Sequence, residues 1–91
     1  MDTTKHTRKP LWLDVREPYE YKACRIPGSI NVPMSRLLIG FDFPKDTEII
    51  TVCEHGIRAE KARCFLVAHG YRNVKTLPGG ISAWAGDFER G

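Results

Sequence analysis

Short apolar runs recur along the chain, each closed by a turn-forming residue. They are Leu11-Trp12-Leu13-Asp14-Val15, Ser29 to Val32 ahead of Pro33, Glu48 to Val52, and Asn73 to Leu77 ahead of Pro78. Their length and their bounding proline and glycine residues predict buried strands. Helical signals fill the gaps. Glu17-Pro18 opens a short helix through Tyr19, Tyr21 and Lys22, because proline suits a first helical turn. Ser35 is placed to cap a helix carrying Leu37, Leu38 and Ile39. Arg58 to His69 reads as a longer helix with Ala59, Ala62, Leu66 and Phe65 inward, stopped by Gly70. A last short helix runs through Ile81 and Trp84. Ile26-Pro27-Gly28 and Pro78-Gly79-Gly80 are turns, and Gly40 to Thr47 is a loop.

Strand and helix therefore alternate, which predicts an α/β domain over residues 11–91. Its central sheet is mostly parallel, with helices on both faces. Residues 1–10 are polar, end in Pro10 and read as a flexible N-terminal arm. Sites in such sheets form beyond the carboxyl ends of the strands. Asp14-Val15-Arg16, Cys53 and Pro78-Gly79-Gly80 all fall there, around one mouth.

Composition changes this picture little. The 91 residues are 42% hydrophobic and 27% charged, as in an ordinary globular domain. A net charge of +3, from 14 basic and 11 acidic residues, suits a small anionic substrate or a mildly acidic partner. No dense basic stripe with interleaved aromatics points to nucleic acid. No run approaches a membrane span and no apolar leader follows Met1, so a cytoplasmic location is expected. Three cysteines, Cys24, Cys53 and Cys64, are an odd number without a C-x-x-C pair, which leaves at least one thiol free. With His55 and His69 they match no zinc spacing, and no metal or organic cofactor is expected.

The chemistry concentrates in Ile49-Ile50-Thr51-Val52-Cys53-Glu54-His55-Gly56-Ile57-Arg58-Ala59. A strand here delivers a thiol to a loop that opens a helix. Main-chain N–H groups in that loop and first turn lack helical partners, and the helix dipole adds positive potential. Both favour thiolate over thiol, so Cys53 is the candidate nucleophile. Gly56 lets the backbone bend inward without a side chain in the way. Arg58 carries a fork of donors for loop carbonyls or an incoming anion.

These segments, with Leu13-Asp14-Val15-Arg16-Glu17, Ile26 to Pro33, Gly70 to Val74 and Leu77 to Trp84, resemble the single-domain rhodanese-like sulfurtransferases in order and over most of residues 11–84. The resemblance implies a small rhodanese-like domain whose cysteine cycles between thiolate and persulfide. Cys53 is then catalytic. Glu54, His55, Gly56 and Ile57 form the substrate loop that Arg58 closes, and Asp14 and Arg16 support it, as an ion pair or strand-end hydrogen-bond set. The implied reaction moves a sulfane sulfur from thiosulfate, a polysulfide or a persulfide to cyanide or a thiol. The thiol partner could belong to a sulfur-relay protein, and the chain is expected as a monomer or weak dimer.

Three features depart from the family pattern. Cys24-Arg25 stands where a glycine-histidine pair is usual. Glu54 follows the nucleophile and is expected to repel a dianion unless His55, Arg25 or Arg58 offsets it. The strand and helix that usually precede the Asp14 strand are reduced to thirteen residues, so the N-terminal unit is shortened. Two alternatives stay open: a non-catalytic protein-binding module, and a phosphatase or arsenate-reductase-like cysteine enzyme. The latter use five residues between cysteine and arginine, whereas four separate Cys53 from Arg58.

Overall fold

The computed structural model describes residues 9–91. The first eight residues of the expected arm lie outside them. Four strands make one parallel sheet: β1 (Leu11–Asp14), β3 (Ile30–Asn31), β4 (Ile49–Val52) and β5 (Val74–Thr76), in the order β3-β1-β4-β5. In register, Leu13 lies beside Ile30 on one side and Thr51 on the other, and Thr51 lies beside Thr76. Between the strands run α1 (Pro18–Ala23), α2 (Met34–Ile39) and α3 (Ile57–Ala68), and a one-turn 3-10 helix spans Ile81–Ala83.

Side-chain alternation along each strand divides the interior in two. Leu13, Val15, Ile49 and Cys53 point to one face and pack with Leu37 of α2, Ala59, Ala62 and Leu66 of α3, and Tyr71. Alanines at the α3 contact let helix and sheet approach closely, and Leu37 is the one buried residue of its short helix. Full burial of such a leucine contributes roughly 2 kcal/mol. On the opposite face Val52 packs with Ile26 and Ile81, under Trp12, Leu77, Trp84 and Phe88. Trp12 and Trp84 meet edge to face with ring centres 5.5 Å apart. This second layer is built from the 3-10 turn and loops.

Three details differ from the sequence expectation. Ser35 does not cap α2. The helix begins at Met34 with Pro33 in the capping position, because the proline ring already holds φ at −56°. The terminal helix is a single 3-10 turn ending before Trp84. Cys24–Arg25, where no strand is expected, form strand β2, which pairs antiparallel with β6 (Glu89–Arg90). A two-residue ladder between distant segments leaves no periodic trace in sequence. The loop before β4 is also tied down: Tyr71 donates its hydroxyl to the Phe41 carbonyl (2.9 Å) and accepts the Phe43 N–H (2.9 Å).

Candidate active site

β4 ends at Val52, and the next residue turns its sulfur toward the start of α3. Cys53 Sγ accepts the main-chain N–H of Gly56 at 3.0 Å and of Ala59 at 3.3 Å. Gly56 precedes the helix with φ +100°, a left-handed conformation that glycine adopts without a Cβ penalty. That conformation turns the chain into α3, whose first-turn Ala59 N–H then also faces the sulfur. Thr51 holds the same corner from below. It is wholly buried, donates its hydroxyl to the Ala59 carbonyl at 2.9 Å, and lies 3.0 Å from the Thr76 hydroxyl. Strand β4 thus fixes the helical turn whose amide faces Cys53.

A second backbone segment clamps the loop from outside. The carbonyls of Cys53 and Glu54 accept the N–H groups of Ile81 (2.9 Å) and Ser82 (3.0 Å). This contact needs Gly80, since a Cβ there would stand 2.5 Å from both carbonyl oxygens. The Pro78-Gly79-Gly80 turn therefore serves loop architecture. His55 is exposed, its Nδ1 3.3 Å from the Ser82 hydroxyl, and Ile57 is exposed beside it. An open groove of about 510 Å³ runs past His55, Ile57, Lys61 and Leu77, and Cys53 does not line it. Cys53 itself is only 1% exposed.

Asp14 and Arg16 form a buried, forked ion pair at 2.9–3.1 Å, and Arg16 Nη2 also donates to the Cys24 carbonyl at 2.6 Å. Its remaining nitrogen lies 3.8 Å from Glu54. Arg16, already bonded to Asp14, thus offers Glu54 only a partial offset. None of the three residues expected to do so is bonded to it: Arg25 pairs with Glu89, His55 faces Ser82, and Arg58 turns to α1.

Arg58 does not bond loop carbonyls. Its two terminal nitrogens fork onto Glu20 at 2.8 and 3.2 Å. Glu20 also accepts the Glu17 N–H at 2.9 Å, so one carboxylate closes the start of α1 and links it to α3. The Arg58 hydrogen bonds hold the Glu20 carboxyl below its ordinary value, and the Glu20 hydrogen bonds in turn raise Arg58. Glu20, Thr51 and Ser82 were not singled out from sequence. Only Glu20 left a readable sign: a glutamate three residues after the capping position can bond back to it.

The other thiols stand apart in setting. Cys24 is half-buried in β2, and Cys64 is exposed on α3 near Glu60 and Arg63. Among the described residues, no three His, Cys, Asp or Glu side chains are grouped to hold a metal, and no helix is long and apolar enough to cross a membrane.

With this geometry in view, the chain matches the family model for the rhodanese-like domain over residues 2–87. The chain belongs to the rhodanese-like family. This rhodanese-like domain is 36% identical, over 80 residues, to an Allochromatium vinosum protein named "Sulfurtransferase", covering 87% of the present chain and 75% of the relative. It is also 36% identical to the mitochondrial "Thiosulfate sulfurtransferase RDL2" of Saccharomyces cerevisiae, covering 84% of the chain and 60% of that longer protein. The crystal structure of a rhodanese-like domain from the Anabaena Alr3790 protein superposes with a TM-score of 0.82 at 26% identity, covering 89% of this chain and 99% of that one. The fold is therefore that of the family: a parallel sheet with helices and a cysteine loop at its carboxyl edge.

Proposed function

We propose that this rhodanese-like domain is a sulfurtransferase that carries a sulfane sulfur on Cys53 as a persulfide. One observation carries the reading: two main-chain N–H groups, of Gly56 and Ala59, converge on the Cys53 sulfur at hydrogen-bond distance. Fixed amide donors stabilise negative charge on sulfur without reorganising during the reaction. The names of the sulfurtransferase relatives support the same activity.

In the first half-reaction, the Cys53 thiolate attacks the outer sulfur of a donor. A Cys53 S–S bond forms as the donor's sulfur–sulfur bond breaks, and the electron pair leaves with the donor remainder. With thiosulfate the remainder is sulfite. In the second half-reaction, cyanide or a thiolate attacks the outer sulfur and returns Cys53 as thiolate. The group is held covalently, so each product leaves before the next substrate binds, and ping-pong kinetics follow. Because the thiol sits at the floor of the loop, the donor must be narrow at its reacting end. Loading moves the reactive atom outward by about one S–S bond length, ~2 Å.

The test incubates the protein with thiosulfate, then cyanide. Intact-protein mass spectrometry reads the gain of one sulfur atom, and thiocyanate formation reads turnover. Cys53→Ser abolishes both, whereas Cys64→Ser retains them. Sulfur transfer by the Cys53→Ser variant at the unmodified protein's rate would overturn the mechanism.

A further inference from the structure

Which donor this loop accepts is written in its charges. Near Cys53 the described residues place three carboxylates, Asp14, Glu20 and Glu54, against two guanidinium groups, Arg16 and Arg58. Both guanidinium groups are committed. Arg16 spends its Nε and Nη2 on Asp14 and the Cys24 carbonyl, and Arg58 is forked by Glu20. Arg25, the next arginine along, is paired with Glu89 at 3.3 Å. The flanking groove carries one residue of each charge, Glu60 and Lys61.

Glu54 is the carboxylate with the weakest compensation. It follows the nucleophile directly, its side chain is 40% exposed, and its nearest cation is Arg16 at 3.8 Å, already shared with Asp14. An incoming anion meets this charge in addition to the Cys53 thiolate, and among the described residues beside the loop both guanidinium groups are already committed. Repulsion scales with donor charge, so a dianion is penalised twice as much as a monoanion.

We infer that Glu54 is a specificity-determining residue that biases the domain toward sulfane-sulfur donors bearing a single negative charge at the reacting end, and against dianions such as thiosulfate. This rests on the proposed sulfurtransferase activity and names the charge class of its donor. The matched donors are thiosulfate and methanethiosulfonate. Each gives its outer sulfur to the Cys53 thiolate; one releases sulfite, the other methanesulfinate, and the charge balances in both. They differ by one negative charge.

The experiment measures kcat/KM for both donors, with cyanide as acceptor, on the full chain and on Glu54→Gln, Glu54→Lys and Glu48→Gln. Glu48 immediately precedes β4, at the end of the strand opposite Cys53, and serves as the distant charge control. One unit of charge on the residue next to the nucleophile, in a half-exposed setting, predicts that Glu54→Gln raises the thiosulfate-to-methanethiosulfonate ratio by about 3- to 10-fold at low salt. Glu54→Lys raises it further, and ~0.5 M salt shrinks both effects. An unchanged ratio in the Glu54 variants, or an equal change in Glu48→Gln, overturns the inference while leaving the sulfurtransferase reading intact. If neither donor places a sulfur on Cys53 of the unmodified protein, both fall together.

Discussion

Replacing Gly80 by alanine tests whether the loop around Cys53 is held by close backbone contact. Gly80 has φ +67° and ψ −161°, a region essentially reserved for glycine. A side chain there costs about 1–3 kcal/mol in backbone strain alone. The added Cβ would also stand 2.5 Å from the Cys53 and Glu54 carbonyl oxygens and 2.7 Å from the Glu54 carbonyl carbon. Neither carbonyl can retreat freely, because each accepts an N–H, from Ile81 and Ser82 respectively. Forced packing of this kind costs a further ~1–3 kcal/mol. The sum, about 2–6 kcal/mol, is a large part of the ~5–14 kcal/mol available to a domain of this size. Urea unfolding followed by far-ultraviolet circular dichroism reads it directly. At a slope of about 1 kcal/mol per M, the midpoint falls by ~2 M or more, and sulfur loading of Cys53 falls with it. Gly28→Ala is the comparison. Gly28 has φ +86° but open space around the new Cβ, so it isolates strain at about 1–2 kcal/mol. A Gly80→Ala midpoint within about 0.5 M of the parent, with loading intact, would refute the clamp.

Two further outcomes follow from the same geometry. Glu20 is held below its ordinary 4.5 by Arg58, so its stabilising contribution is complete above that value and is lost as pH falls through the folded-state value. Glu20→Gln therefore lowers stability by about 0.5–1 kcal/mol at pH 7, a partly exposed forked pair. The gap between parent and variant closes as the pH falls below 4.5; a gap that stays constant there would refute the assignment. Thr51→Val keeps the shape of a fully buried side chain but removes the hydroxyl that holds the Ala59 carbonyl and meets Thr76. It is expected to cost about 1–3 kcal/mol in urea titration and to slow sulfur loading, because the Ala59 amide loses its support; unchanged stability and loading would count against that role.

Much of the architecture could be read from residues alone because it depends on local pattern. The runs around Leu13, Ile49 and Val74 are short, apolar and bounded by turn formers, and they became the strands of the parallel sheet. The helix carrying Ala59, Ala62 and Leu66 showed its inner face by spacing. Cys53 was legible for the same reason: strand, thiol, glycine and helix succeed one another in sequence. What escaped was partner choice among groups far apart in the chain. Arg58 and Glu20 are separated by 38 positions, and no local rule tells a guanidinium which carboxylate will face it. The same holds for Arg16 and Glu54, and for the two-residue ladder between Cys24–Arg25 and Glu89–Arg90. Ser35 misled for the opposite reason. A good capping side chain was outbid by the proline two residues earlier, whose ring starts the helix on its own.

The edge-to-face meeting of Trp12 and Trp84 has a spectroscopic consequence. Both indoles lie in the thin layer, on the side of the sheet away from α2 and α3. Intrinsic emission of this protein is accordingly a reporter of that layer, while helical ellipticity is dominated by the opposite one. Superimposable curves from the two signals would certify that both halves melt as one cooperative unit, and divergence would reveal a half that frays first.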